Sequence, residues 1–244
     1  MRTPQIILVL LFCFSCFADA DRIYDPAEKV NRKVFAFNDT LDVYAFEPVA
    51  KGYDYVVPHF AQTGVRNFFR NLSYPKYLFS DLCQLKFADA GQHTLRFIIN
   101  TTAGVVGLVD VAGYAGIEHH ETDFGIALAG NGVGPGAYIV LPLLGPSNVR
   151  DGLASIVDIL LNPLYWLATS KTERISNSTK TGLAYGLTAL ELINTRARLL
   201  DGIKYGKDSS LDFYLFMQGS YYQYREGLLK NGAAKEIETN WDED

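Results

Sequence analysis

Residues 153–169 limit what this chain can fold into more than any other stretch. They read Leu-Ala-Ser-Ile-Val-Asp-Ile-Leu-Leu-Asn-Pro-Leu-Tyr-Trp-Leu-Ala-Thr, with apolar residues on nearly every side of a helix, so this is no ordinary surface helix. A helix that crosses a bilayer needs about 20 apolar residues. Here Asn162-Pro163 interrupts the run, because the residue before a proline is pushed out of the helical region. Each arm then has about ten residues and, at about 1.5 Å per residue, reaches roughly 15 Å, half of the ~30 Å hydrocarbon core. The expectation is a helical hairpin that either enters one leaflet and returns or packs inside a soluble body. Ile156 and Leu160 mark its first arm and Pro163 its break. Tyr165 and Trp166 follow the break, where interfacial anchors would sit, and favour the membrane.

The N-terminus reads as an address. Arg2, an apolar stretch over residues 6–17 and Ala18-Asp19-Ala20 form a signal peptide over residues 1–20. Cleavage after Ala20 removes Cys13 and Cys16 and leaves Cys83 as the only cysteine, which excludes an intramolecular disulfide. The competing reading is lipidation at Cys16. Ser15 suits it, but Cys13 and Phe14 do not match the usual Leu-small-small-Cys pattern, and both readings stand open. At the other end, residues 231–244 form an acidic tail expected to be disordered. Residues 21–230 are expected to form one helical domain.

Helical periodicity dominates that domain. Val30, Val34, Phe37, Leu41 and Tyr44 share one helix face, with Glu28, Arg32, Asp39 and Asp42 opposite. Pro58 opens a second helix, with Ala61, Val65, Phe68 and Leu72 aligned, and Pro75 a third reaching Phe87. Asp89 is read as the N-cap of a fourth, running to Asn100. Leu183, Leu187, Leu190, Ile193, Ala197 and Leu200 mark a long later helix, and Tyr214, Met217, Tyr221, Tyr224 and Leu228 a last one. Tyr138–Leu141 alone reads as extended, so the fold class is all-α. Residues 104–151 form an apolar, glycine-dense, irregular segment containing Gly125, Gly130, Gly132, Gly134, Gly136 and Gly145. Segments of that kind are more often functional than idle.

Composition and motifs exclude several classes. Net charge is −5 and there is no basic stripe, which argues against nucleic acid and against electrostatic attachment to anionic lipid. Any membrane contact must be hydrophobic, and 15 Tyr and 15 Phe supply amphipathic rings for it. Gly145-Pro146-Ser147-Asn148-Val149 lacks the second glycine of a nucleophile elbow, and no phosphate-binding loop exists. Gly130-Asn131-Gly132-Val133-Gly134-Pro135-Gly136 fails the dinucleotide spacing. Glu118-His119-His120-Glu121 with Asp123 has metal-ligand chemistry, but adjacent histidines point apart on a regular element, so it reads as an exposed polar loop. His59 and His93 read as surface or internally satisfied histidines, and Asp110, Asp123 and Asp151 as caps. Neither a metal nor a cofactor is expected.

Many separated blocks resemble the MlaA (VacJ) family of outer-membrane phospholipid-transport lipoproteins. They begin with Asp25-Pro26-Ala27-Glu28, Asn31-Arg32 and Phe35-Ala36-Phe37-Asn38, and continue with Gly64-Val65-Arg66-Asn67-Phe68-Phe69, Asn71-Leu72 and Pro75. Next come Arg96-Phe97-Ile98-Ile99-Asn100-Thr101-Thr102 and Gly107-Leu108-Val109-Asp110-Val111-Ala112. Asp123-Phe124-Gly125, Gly132-Val133-Gly134, residues 138–142, Leu144-Gly145-Pro146-Ser147 and Arg150-Asp151 follow. Thr195-Arg196-Ala197 and Tyr221-Tyr222-Gln223-Tyr224-Arg225 close the match. Three departures stand out. The lipidation signal is degraded, Pro135 displaces the family's G-V-G-x-G-P-Y block, and Asp212-Phe213-Tyr214 replaces an Asp-Pro-Tyr.

The resemblance implies a ring-shaped bundle of amphipathic helices around a central amphipathic channel, lying in the inner leaflet of an outer membrane. It implies removal of misplaced phospholipid to a soluble periplasmic carrier of the MlaC type, association with a trimeric porin, and no enzymatic activity. Within that picture the segment Gly130 to Gly145, with Gly130, Gly132, Gly134, Gly136 and Tyr138, is expected to line or gate the channel, and the stretch Phe35 to Asn38, including Phe37 and Asn38, to pack against that gate. The rival classes are a soluble periplasmic scaffold or adhesin and a lipid hydrolase, for which no nucleophile with a partnered base is legible.

Overall fold

A computed structural model describes residues 23–170 and 176–231. The signal peptide, Cys16 and the acidic tail lie outside the described residues, apart from residue 231.

The described chain is helical except for one two-stranded hairpin. It begins with α1 (Glu28–Leu41), a π-helical turn (Asp42–Phe46) and α2 (Glu47–Val56) in one continuous rod. There follow α3 (His59–Leu72), α4 (Tyr74–Cys83), α5 (Phe87–Thr102), the short α6 (Val111–Tyr114) and α7 (Phe124–Gly130). The hairpin β1 (Tyr138–Leu141) and β2 (Gly145–Asn148) leads into α8 (Val149–Leu161) and α9 (Pro163–Thr169). Long helix α10 (Asn177–Arg198), α11 (Leu200–Ser209) and α12 (Phe213–Asn231) complete it.

These elements close a circuit. The α1 rod passes into α2, α2 packs on α10, α10 on α3, α3 on α5, α5 on α4, α4 on α7, α7 on α8, α8 on β1, and β1 back on α1. Helix α9 braces α8 against α10, and α12 braces α7 and β2. The hydrophobic core is correspondingly small: Tyr138, Val140 and Tyr214, with Ile23, Val34, Phe35, Tyr221 and Tyr222 around them. Buried polar or charged residues such as Asn31, Asp81, Asn100, Asn148, Arg150, Asn194, Arg196 and Arg225 are as prominent inside as aliphatic ones.

Several expectations need correction. The third helix stops at Cys83, not at Phe87, because Leu85 takes a left-handed backbone (φ 57°) and turns the chain. Helix α5 therefore starts at Phe87, and Asp89 lies inside its first turn, where a carboxylate complements the helix dipole, not at the cap. The α1 face expected to be buried is split. Val34 joins the core, whereas Val30, Phe37 and Tyr44 are 61%, 56% and 81% exposed. The inward face carries Asn31 and Phe35 instead, and the π-turn shifts the side-chain phase after Leu41. Strand β1 forms where expected, while β2 was not legible, since Gly-Pro-Ser-Asn has no apolar alternation.

Candidate functional site

Two asparagines on α1 hold the β-hairpin. Asn31 and Asn38 are seven residues apart and so share a helix face. The Asn31 amide donates to the Tyr138 carbonyl (3.0 Å) and accepts from the Val140 N–H (3.0 Å). Asn38 repeats the pattern two turns on, donating to the Leu141 carbonyl (2.9 Å) and accepting from the Leu143 N–H (2.9 Å). Each side-chain amide thus stands in for a peptide unit of a missing neighbouring strand. Asn31 also donates to Asp25 (2.7 Å), whose other oxygen accepts from the Tyr214 hydroxyl and from Gln218.

Asp212 binds Arg32 (2.8 Å), whose guanidinium lies over the Tyr214 ring, and also accepts the Tyr214 N–H. The Asp-Phe-Tyr departure is thereby explained. Its aspartate and tyrosine carry the hydrogen bonds, and Phe213 between them packs its ring against Phe35 and Phe216.

The second feature is an ionic cluster at the foot of α8. Arg225 from α12 meets Asp123 through both terminal nitrogens (2.5 and 2.9 Å), and its Nε lies 3.0 Å from Asp151. Asp151 also takes Arg150 Nε (2.8 Å), the Tyr221 hydroxyl (2.5 Å) and the Asn148 amide (2.8 Å). Burial would lift the Asp123 carboxyl, but Arg225 and the Ile126 N–H outweigh it and hold it below the usual carboxylate range. Asp151 behaves alike, its burial outweighed by Arg150, Tyr221 and Arg225. Gly125 fits beneath because a Cβ there would sit 2.5 Å from Asp151 Oδ1 and 2.7 Å from Arg225 Nη2. Asp123 caps α7 as expected, accepting from Ile126 N–H (2.8 Å), and Asp110 caps α6, but Asp151 does not cap α8: that cap is Asn148, which accepts from Asp151 N–H (2.8 Å), and Asp151 lies in the first turn. The joint capture of Asp123 and Asp151 by Arg225 was not read from sequence, although all three stand in family-matching blocks.

The glycine-rich loop is slung between these features. It leaves α7 at Gly130 and runs exposed to Gly136. Arg150 anchors its far end, with Nη1 donating to Val133 O (3.0 Å) and the backbone N–H to Pro135 O (3.1 Å). Gly132 and Gly136 take left-handed backbone (φ 87° and 70°). Asn38 meets the hairpin at its tip, through Leu141 and Leu143, while Tyr138 lies at its base, held by Asn31, and Gly136 lies against Val149. Phe37 turns to the exposed face of α1, away from them, and Tyr138 is fully buried in the core.

The third feature is outward. No helix among the described residues is long and apolar enough to cross a membrane, but α8 and α9 pass that test jointly as a pair bent by 62°. The bend falls at Asn162-Pro163, with Asn162 capping α9 through Leu164 N–H (2.9 Å). Leu153, Ile156, Ile159, Leu160 and Trp166 are each 45% exposed or more, and the Trp166 indole is tied to Leu160 O (2.7 Å). Tyr165 packs edge-on against it. Separately, an apolar cavity of about 300 Å³ opens between Val65, Phe68, Phe69, Val105, Val106, Leu108 and Leu190.

The histidines differ from expectation. Residues 118–121 are no exposed loop: His119 and His120 both lie against the buried His93 ring, with centroids 5.8 and 3.9 Å away. The segment has no regular secondary structure, so neighbouring side chains are not forced apart. His93 is buried, as an internal histidine, with its ring nitrogens facing Asp81 Oδ2 (2.6 Å) and the His120 carbonyl oxygen (2.9 Å).

A closed circuit of helices with buried charges and with exposed apolar side chains on the bent α8–α9 pair defines a helical ring. The chain belongs to the MlaA lipoprotein family, whose model matches residues 23–228. It is 32% identical over 231 residues to the intermembrane phospholipid transport system lipoprotein MlaA of Escherichia coli K12, covering 93% of this chain and 87% of that one. An uncharacterized protein of Rickettsia bellii is 38% identical over 209 residues, covering 85% of this chain and 78% of that one. A chain solved in work on the structural basis for maintenance of bacterial outer membrane lipid asymmetry superposes with a TM-score of 0.70 at 32% identity, covering 84% of this chain and 98% of that chain.

Proposed function

We propose that this protein is the outer-membrane component of an intermembrane phospholipid transport system. It sits in the inner leaflet after export, takes misplaced phospholipids from the outer leaflet and passes them to a soluble periplasmic carrier of the MlaC type, alongside a trimeric porin. No covalent step is involved. The observation that carries this reading is the inversion of surfaces: polar groups cluster inside the circuit while the α8–α9 hairpin and the α1 rod expose aliphatic side chains. A phospholipid has a charged head and apolar tails, so its path needs both surfaces side by side. Glu121, Asp123 and Asp158, from separate parts of the circuit, act electrostatically on Lys76, and Lys76 on Glu191, and the cavity beside Phe68 and Val105 has room for part of a tail.

In this reading the Gly130–Gly136 loop gates a channel through the ring. Gly134 is the decisive position, because nothing lies within 4 Å of a Cβ built there and its backbone is not left-handed. Gly134→Val therefore folds normally but stiffens and fills the loop. Outer-leaflet phospholipid should rise in cells carrying it; unchanged levels at normal protein abundance would remove the gate. The alternative of a soluble scaffold is tested by the protein without its signal peptide. A detergent-free monomer that ignores liposomes would defeat the membrane reading.

A further inference from the structure

We propose that Asp81, His93 and His120 form a binding site for one divalent transition-metal ion of the zinc class. Asp81 is on α4, His93 on α5 and His120 on the chain entering α7, and one ligand-capable atom from each lies within 4.8 Å of the others. Two imidazole nitrogens and a carboxylate oxygen are a donor set zinc favours.

The hydrogen bonds point the same way. His93 Nε2 lies 2.9 Å from the His120 carbonyl oxygen, which can only accept, so this nitrogen carries the proton. His93 Nδ1 is thereby directed at Asp81 Oδ2, 2.6 Å away. A lone pair and a carboxylate cannot face each other at that distance without a cation between them, and both side chains are almost fully buried, at 3% and 1% exposure. Either a proton or a metal ion fills that place. A backbone carbonyl that fixes the remote N–H is the usual support of a metal-bound histidine. On the far side, Asp81 Oδ1 and His120 Nε2 are buried without a hydrogen-bond partner and lie 3.5 Å apart. At that separation neither atom makes a good hydrogen bond with the other, and one ion among the three side chains satisfies both.

Ligand bonds of about 2.0–2.2 Å require only that the Asp81–His93 pair open slightly. Asp89 Oδ2, 3.9 Å from His120 Nε2 and partly exposed, supplies the route from solvent and a fourth ligand position. His119 stays outside the set, edge-on to Tyr77. The bound ion staples α4 to α5 and to the chain entering α7, a role separate from lipid handling.

The test uses the mature protein in detergent, stripped with chelator and titrated with Zn²⁺ alone by calorimetry and with Co²⁺ by visible absorption. The expected result is one ion per chain, a tetrahedral Co²⁺ spectrum and a higher melting temperature with Zn²⁺. His120→Ala, at the solvent edge of the cluster, should lose binding at least tenfold while its metal-free melting temperature stays near that of the wild type; Asp81→Asn should lose binding as well. Folded wild-type protein that binds no ion, showing that only a proton sits there, overturns the site. Undiminished binding in His120→Ala also overturns it, and decides the matter if Asp81→Asn fails to fold.

Discussion

Helix α8 experiences two different surroundings along its length. Its first turn carries Arg150 and Asp151, locked with Arg225, Asp123 and Tyr221 in a charged and buried cluster. From Leu153 onward it turns Ile156, Ile159 and Leu160 outward, with no protein packed over them. In a water-soluble protein these two chemistries would change places. Their arrangement teaches that folding here draws on polar contacts inside the circuit, while much apolar surface stays exposed. The first end should thus govern stability and the second should govern location.

Substitutions can break that division. The largest effect is expected from Arg225→Met, which leaves Asp123 without its cation and Asp151 with Arg150 alone. The loss should be about 3–5 kcal/mol, read as a fall in melting temperature in detergent. A drop no larger than that of a surface variant would show that the circuit does not depend on the cluster.

Acid attacks the same point. Both carboxyls titrate below their ordinary value in the folded chain, so their stabilisation is complete above the unfolded carboxylate range near pH ~4. It is lost as pH falls through the lowered folded values. Unfolding midpoints measured between neutral and strongly acidic pH should fall steeply only in that acid range, and Arg225→Met should flatten the fall.

Next in size is Asn31→Ala, which orphans Tyr138 O and Val140 N at a buried site, at a cost of about 1–3 kcal/mol. Asn38→Ala, nearer the hairpin tip, should cost about 0.5–1.5 kcal/mol. Amide hydrogen exchange at Val140 and Leu143 reports each clasp separately, and equal protection in wild type and variants would discount the clasps. The smallest effect on stability belongs to Ile156→Ser with Leu160→Ser, within about 0.5 kcal/mol in detergent. The same pair should weaken co-flotation with liposomes. Undiminished flotation would place the membrane contact elsewhere.

How far the sequence carried follows the same division. The helical hairpin was legible because Pro163 acts locally and an all-round apolar run has few meanings. Helix starts at Pro58 and Pro75 were legible for the same reason. The buried phase of α1 was not: Val30, Phe37 and Tyr44 repeat as a core face would, but periodicity cannot tell a face that is buried from one that stays exposed. Strand β2 and the Arg225 cluster were missed because each depends on partners far along the chain, Asp123 being 102 residues from Arg225. Asn38 bonds the hairpin at Leu141 and Leu143, whereas its neighbour Phe37 is exposed, as adjacent helix positions point about 100° apart.

The clasp on β1 has one further consequence. A two-stranded ribbon has open edges, and an unpaired edge is a template onto which another chain can add a strand. On this edge Tyr138 N–H is taken by Tyr24 O (2.9 Å), and Tyr138 O, Val140 N–H, Leu141 O and Leu143 N–H are taken by the two asparagines. Side chains of a helix thus finish a sheet that has no third strand, and copies crowded side by side have no free edge here through which to polymerise.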